Sequence, residues 1–342
     1  MIGMNTTSLN SGVKNLALFL NLAPTHDRRS YLCRMLSRML NAVFFYCIVK
    51  PLSWLPIRAL LVLSDGLYVL IYRVIGYRRG VVRQNIERSF PDRGVPEWRQ
   101  IERDFYRHFC DMIVETIRNF SISRARLRER CRLENPSVLE PYARSGRSVI
   151  IAAGHHNNWE MPVNALAMQI PHELVGIYAP IGNAYLDRQF FRSRARYGMV
   201  LKPKQHAKQH FEENRNTLTA TLLIGDQSPS NNRKKLYWTT FLHQPTGVML
   251  GTEKFARQYD LPVLWMEIRK VKRGYYRLRL RPLEDHPSST PDHSITDRTV
   301  RALETQIRAE PAFYLWSHRR WKLRPPRPLD PPPLDATPEK SL

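Results

Sequence analysis

The chain has 342 residues, enough for one large domain or two ordinary ones, and its 43% apolar content is ordinary for a globular protein with a substantial core. Against 30 Asp+Glu stand 53 Lys+Arg, a net charge of +23 carried by an excess of arginine, which points to polyanions: nucleic acid, or an anionic membrane and its phosphorylated lipids. Four widely spaced cysteines, with no CxxC and no metal-type cluster, read as reduced, mostly buried thiols facing a cytoplasm, and no A-x-A cleavage site follows a short apolar core, which argues against a removed signal peptide.

Residues 1–38 read as a polar N-terminal extension, apart from the short apolar run Leu16–Leu20. Residues 39–80 read as an apolar helical membrane anchor. Lys50-Pro51 interrupts it, and no unbroken stretch reaches the roughly 18–20 residues of a plain spanning helix, so a bent or hairpin-like anchor at one leaflet is expected. Tyr72, Arg73, Tyr77, Arg78 and Arg79 bound it as headgroup-level residues do; the bland alternative is a buried helical pair. From Pro96 to Phe120, Ile101, Phe105, Phe109, Met112, Ile113 and Ile117 follow helical spacing, and Arg124–Arg132 reads as a solvated basic helix face.

Residues 81–322 then alternate strand-like and helix-like segments. Strands are expected at Ser148–Ala153, Leu174–Tyr178, Thr219–Ile224, Pro262–Arg269 and Tyr275–Arg281. Helices are expected at Trp159–Gln169, Ala184–Tyr197, Gln205–Asn214, Gly247–Tyr259 and Ser294–Arg308. This is the pattern of an α/β domain with a mixed central sheet flanked by helices. Residues 323–342 read as a disordered, proline-rich tail.

Four clusters are polar where a core would not ask for it. The apolar run Val149–Ala153 ends at Gly154-His155-His156-Asn157-Asn158-Trp159-Glu160. A strand end would fix His155, the glycine would admit a tight turn, and the next helical turn would swing Glu160 toward the ring. An imidazole oriented by a carboxylate is a general base for a substrate hydroxyl; the bland reading is a strand–helix junction with Glu160 at the positive helix end. Tyr185-Leu186-Asp187 leads into Arg192, Arg194 and Arg196, and Arg192 and Arg196 lie one helical turn apart, as convergence on a phosphate would need. Gly225-Asp226-Gln227 follows a buried strand, where α/β folds place their sites, although a turn-forming aspartate reads equally well. Leu315–Lys322 alternates aromatics with cations. A zinc site from His155, His156 and Glu160 is disfavoured: adjacent strand-end histidines point to opposite sides, no HExxH is present, and no metal is expected.

Order and content together resemble the bacterial lipid A late acyltransferases, the lauroyl and myristoyl transferases of the lysophospholipid acyltransferase superfamily. The resemblance runs from about Met39 to Pro325. It rests on Arg78-Arg79 with Asn85–Pro91; on Gly154–Glu160, similar to that family's H-x4-D/E block; on Ile177–Pro180 with Asn183, Leu186, Asp187, Arg194 and Arg196; on Gly225-Asp226-Gln227 with Phe241; and on Trp316–Lys322 with Arg324-Pro325. Ala179 stands where many members carry arginine, and His243-Gln244-Pro245 replaces a glycine-containing turn.

The resemblance implies a glycerolipid acyltransferase-like fold and O-acylation of a lipid A precursor hydroxyl by an acyl thioester, from acyl carrier protein or coenzyme A as co-substrate, with no cofactor. His155 would be the base, preferred to His156 by the family spacing, and Glu160 would fix its tautomer. Asn157 and Asn158 would hold the turn and donate to a developing oxyanion; Arg194, Arg196, Asp226 and Gln227 would bind substrate, the two arginines at the lipid phosphate. The expected partners are a membrane lipid acceptor and acyl carrier protein at the cytoplasmic face of the inner membrane, not nucleic acid. The alternatives are acylation of another amphiphile, such as a lysophospholipid or an amino-acid lipid, and a non-catalytic protein that binds anionic membranes.

Overall fold

The computed structural model describes residues 25–229 and 236–326, so the first 24 residues of the expected 1–38 extension and the tail beyond residue 326 lie outside the described residues, while residues 25–38 of that extension are helical. The chain divides into two units, Met1–Pro51 and Leu52–Leu342. In the first, helix α1 (Thr25–Phe44) runs into a wide π-type turn at Phe45–Val49. The helix Met35–Trp54 is long and apolar enough to cross a membrane. The expected break at Lys50-Pro51 is absent: the residue after the π-type turn bonds five back, to the Phe45 carbonyl, and such widened turns accommodate a proline that a regular helix would not.

The second unit opens with α2 (Ile57–Tyr68), extended by a wide turn at Val69–Ile75, then α3 (Arg79–Ser89) and α4 (Val95–Asn119). The expected hairpin anchor is therefore only half membrane-like. The inner face of α2 is tied to α4, Leu60, Ser64 and Tyr68 being buried and Ser64 Oγ donating to Asp111 at 2.8 Å.

The α/β body follows, with α5 (Arg124–Arg130), β1 (Cys131–Leu133), α6 (Glu140–Arg144), β2 (Val149–Ala153), α7 (Glu160–Leu166), β3 (Glu173–Tyr178), α8 (Ala184–Ala195), β4 (Val200–Pro203), α9 (Ala207–Glu213) and β5 (Thr219–Ile224). A hairpin of β6 (Leu236–Phe241) and β7 (Gln244–Met249) precedes α10 (Gly251–Tyr259), β8 (Val263–Lys272), β9 (Tyr275–Glu284) and α11 (Ser294–Ala309). The expected helix from Gly247 thus begins only at Gly251.

Seven strands form one sheet in the order β1-β9-β8-β2-β5-β3-β4, parallel throughout except between β8 and β9. This is the mixed, helix-flanked α/β sheet expected. Strand β2 lies in its middle and is buried on both faces, which is why its sequence is a continuous apolar run. Ile150 and Ala152 pack with Trp265, Leu303 and Trp316; Val149, Ile151 and Ala153 pack with Met161, Leu166 and Leu264 on the other face. The carboxyl ends of β2, β5 and β3 share one edge of the sheet, the edge at which α/β folds assemble their sites.

Candidate active site

The register of β2 on β5 builds the site. Ala153 lies opposite Ile224, so the residues two positions beyond each strand end, His155 and Asp226, emerge side by side. His155 Nδ1 is 2.6 Å from one Asp226 oxygen, and the His155 backbone N–H donates to the other at 3.0 Å. Burial alone would raise the Asp226 carboxyl, but the His155 ring and N–H and the Arg320 charge hold it below its ordinary value. Buried Tyr314 lies beside the same carboxylate, and burial with that negative neighbour pushes its phenol upward. With Nδ1–H donating to Asp226, Nε2 is left as an acceptor, 3.2 Å from the Gln227 amide nitrogen. The edge of Trp159 meets the imidazole, ring centres 4.8 Å apart.

The expected His155–Glu160 contact is replaced. Both Glu160 oxygens bond Arg194, Oε2 accepting from Nε at 3.2 Å and Oε1 from the terminal guanidinium nitrogen. Glu160 opens α7, whose amino end is capped by Asn158 Oδ1, accepting from the Glu160 and Met161 N–H groups at 2.9 and 3.1 Å. That cap directs the Glu160 side chain to α8 while Asp226 occupies the imidazole. His155, Glu160, Arg194 and Gln227 nevertheless line one cavity of about 290 Å³, whose other walls include Trp159, Val163, Met199, Leu201 and Leu222.

Three further expectations change. Gly154 does not take a left-handed conformation; a Cβ there would lie 2.5 Å from Leu303 Cδ1, so close packing against α11 requires glycine. The left-handed residue of the turn is Asn157, at φ 64°. Asn157 and Asn158 do hold the turn, but their amides are spent inside the protein, on the Ile268 carbonyl at 3.3 Å and on buried Glu115 at 2.5 Å, so they are not available to substrate. Arg196 does not join Arg194: its guanidinium donates to the Asn119, Phe120 and Ile122 carbonyls and ties α8 to the end of α4.

His156 is set apart from His155. It is buried, its Nε2 is 3.0 Å from the Glu310 carbonyl, and burial pulls its pKa down to about 4. The C-terminal cluster braces Asp226 from behind. His318 Nε2 accepts from the Ser228 N–H at 2.9 Å, and buried Arg320 donates to the Gly247 carbonyl at 3.0 Å. This cluster is itself held by the segment after α2, for Asn85 Nδ2 donates to the Trp316 and His318 carbonyls and Arg78 to that of Ser317.

A carboxylate-steadied imidazole in the wall of a cavity that is part polar and part apolar, at the carboxyl edge of a mixed sheet, is an enzyme's arrangement. The sequence profile of the bacterial lipid A biosynthesis acyltransferases matches residues 28–323. The chain is 22% identical over 279 residues to the lipid A biosynthesis palmitoleoyltransferase of Escherichia coli (strain K12), covering 79% of this chain and 87% of that one. The lipid A biosynthesis acyltransferase of Shigella flexneri matches to the same extent. The protein is an acyltransferase. It belongs to the bacterial lipid A biosynthesis acyltransferases.

Proposed function

We propose that this acyltransferase moves a fatty acyl group from an acyl thioester, carried by acyl carrier protein, to a hydroxyl of a lipid A precursor, with His155 as general base and Asp226 as its orienting acid. The observation that carries this reading is the 2.6 Å His155–Asp226 contact, which directs the imidazole's lone pair at Nε2, on a residue that lines the cavity. The acceptor hydroxyl would take the place of the Gln227 amide at Nε2. As its oxygen attacks the thioester carbonyl carbon, its proton passes to Nε2; the tetrahedral intermediate collapses, the C–S bond breaks, and the imidazolium returns the proton to the departing thiolate. An ester C–O bond has replaced a thioester C–S bond, with no enzyme nucleophile and no cofactor. General-base assistance of this kind contributes about 10²–10⁴-fold, and positioning supplies much of the rest.

Glu160 and Arg194 serve this reaction as positioning groups in the cavity wall, and a substrate phosphate would compete with Glu160 for the Arg194 guanidinium. The apolar wall of Trp159, Val163, Met199 and Leu201 suits a hydrocarbon chain. The helix Met35–Trp54 would hold the enzyme at the cytoplasmic face of the inner membrane, where an anionic surface attracts basic side chains by about 1 kcal/mol each. Mass spectrometry of membrane lipids tests the reading. Cells producing the protein gain a lipid A species heavier by one acyl unit, and cells producing His155→Ala do not. Equal gain from both proteins would remove His155 from the mechanism.

A further inference from the structure

The outer face of α2 and of its extension to Ile75 is apolar and bare. Val62 and Val74 are 70% and 71% exposed, and Leu63, Val69, Leu70 and Ile75 are exposed with them, while Leu60, Ser64 and Tyr68 face inward. Arg273, in the turn between β8 and β9, donates to Asp65 at 2.8 Å and to the Leu61 carbonyl at 3.2 Å, clamping that hairpin to α2. Its tip residue Val271 is also exposed.

Two observations choose the occupant. The first is charge: Arg58 and Arg73 are exposed at either end of the α2 face and Lys272 at the hairpin tip, and the one acid of the α2 face, Asp65, is neutralised by Arg273. The second is continuity: only Leu55 and Pro56 separate α2 from the end of the apolar helix Met35–Trp54, and Trp54 and Leu55 are exposed as well. A helix with a cation-flanked apolar face, following in the chain on a helix long and apolar enough to cross a membrane, fits the headgroup–acyl boundary of an anionic bilayer. We propose that this face, with Val271, is a second membrane contact, on which α2 lies in the bilayer plane and does not cross it.

The hairpin shows what this contact does for the active site. Strand β8 runs parallel to β2 with Trp265 opposite Ala152, so its carboxyl end points to the edge that carries His155. Val271 lies six residues beyond Trp265, roughly 20 Å at about 3.3 Å per residue. Seating α2 and Val271 on the membrane therefore turns the site's edge of the sheet toward the lipid. This rests on the reading that the acceptor is a bilayer lipid.

The full-length protein, with Cys33 and Cys47 replaced by serine, would be labelled with a polarity-sensitive fluorophore at V69C, V271C or R144C. It would then be reconstituted into phosphatidylcholine–phosphatidylglycerol vesicles containing brominated lipid. Arg144 immediately precedes the opposite edge of the sheet and is exposed. The expected result is quenching at positions 69 and 271 but not at 144. In parallel, a Val62→Glu/Val69→Glu protein is expected to lose about tenfold or more in acyl transfer to vesicle-borne acceptor and to change less than about twofold in detergent micelles, since burying a carboxylate in lipid is costly. Labels at 69 and 271 as accessible as that at 144, or V69C cross-linking between two copies in vesicles, would overturn the proposal. Quenching at 69 and 271 without transfer by the unsubstituted enzyme would overturn the functional reading and leave the contact surface standing.

Discussion

At the level of single side chains, the site separates two carboxylates that the sequence presents as equals. Asp226 touches His155 at both the ring and the backbone, whereas Glu160 is committed to Arg194. Asp226→Asn should reverse the tautomer preference of His155 and lower kcat on the order of 10³-fold with little change in KM. Glu160→Gln should loosen Arg194 and act mainly by raising KM. Steady-state kinetics on both variants checks this, and a kcat collapse confined to Glu160→Gln would restore the pairing that the H-x4-E spacing suggests. His155 was legible because a histidine ending a buried apolar run is anomalous. Its partner was not, since Asp226 lies 71 residues away and only the register of β2 on β5 joins them. Arg194 and Arg196 look interchangeable in a sequence, yet the helix turns one into the cavity and the other onto backbone carbonyls.

Among the elements, the long periodic segments were legible and the short ones were not. Val95–Asn119 matches its expected bounds to within a residue, although of the apolar positions that marked it only Ile101 and Phe105 are buried and the inner face also carries Glu102, Asp111 and Glu115; β5 matches its expected bounds. The β6–β7 hairpin escaped because its two-residue turn, Leu242-His243, has both residues at positive φ without a glycine or asparagine to signal it. Leu242 tolerates this because it is fully buried in the core. The three-residue β1 was hidden in the arginine run that forms α5. At the β2–α7 junction the demand on Gly154 is space. Gly154→Ala should cost about 1–3 kcal/mol by forcing Leu303 aside, read as a lower denaturation midpoint with an unchanged slope. An unaltered midpoint would show that α11 can shift freely.

For the molecule as a whole, stability should depend on buried His156. Its folded pKa of about 4 lies below its ordinary 6.5, so the folded state resists a proton that the unfolded chain accepts. Stability is fully present above pH 6.5 and is lost as pH falls toward 4, by about 3 kcal/mol at the bottom of that window. Denaturation in detergent across that range should show the loss, and His156→Asn should reduce it, leaving the part that His108 and His318 contribute in the same direction; an equal slope in both proteins would place the whole effect elsewhere. The fold class was legible from the alternation of segments, but the mutual bracing of distant blocks was not. Asn85 grips the Trp316 and His318 carbonyls across 231 and 233 residues, and Arg320 stands in the buried cluster behind Asp226. Such distant pairings are slow to form. During synthesis, the helix Met35–Trp54 would have left the ribosome long before the last brace of the active centre. Premature termination between α4 and Arg320 should therefore yield an inert polypeptide that still carries the helix Met35–Trp54.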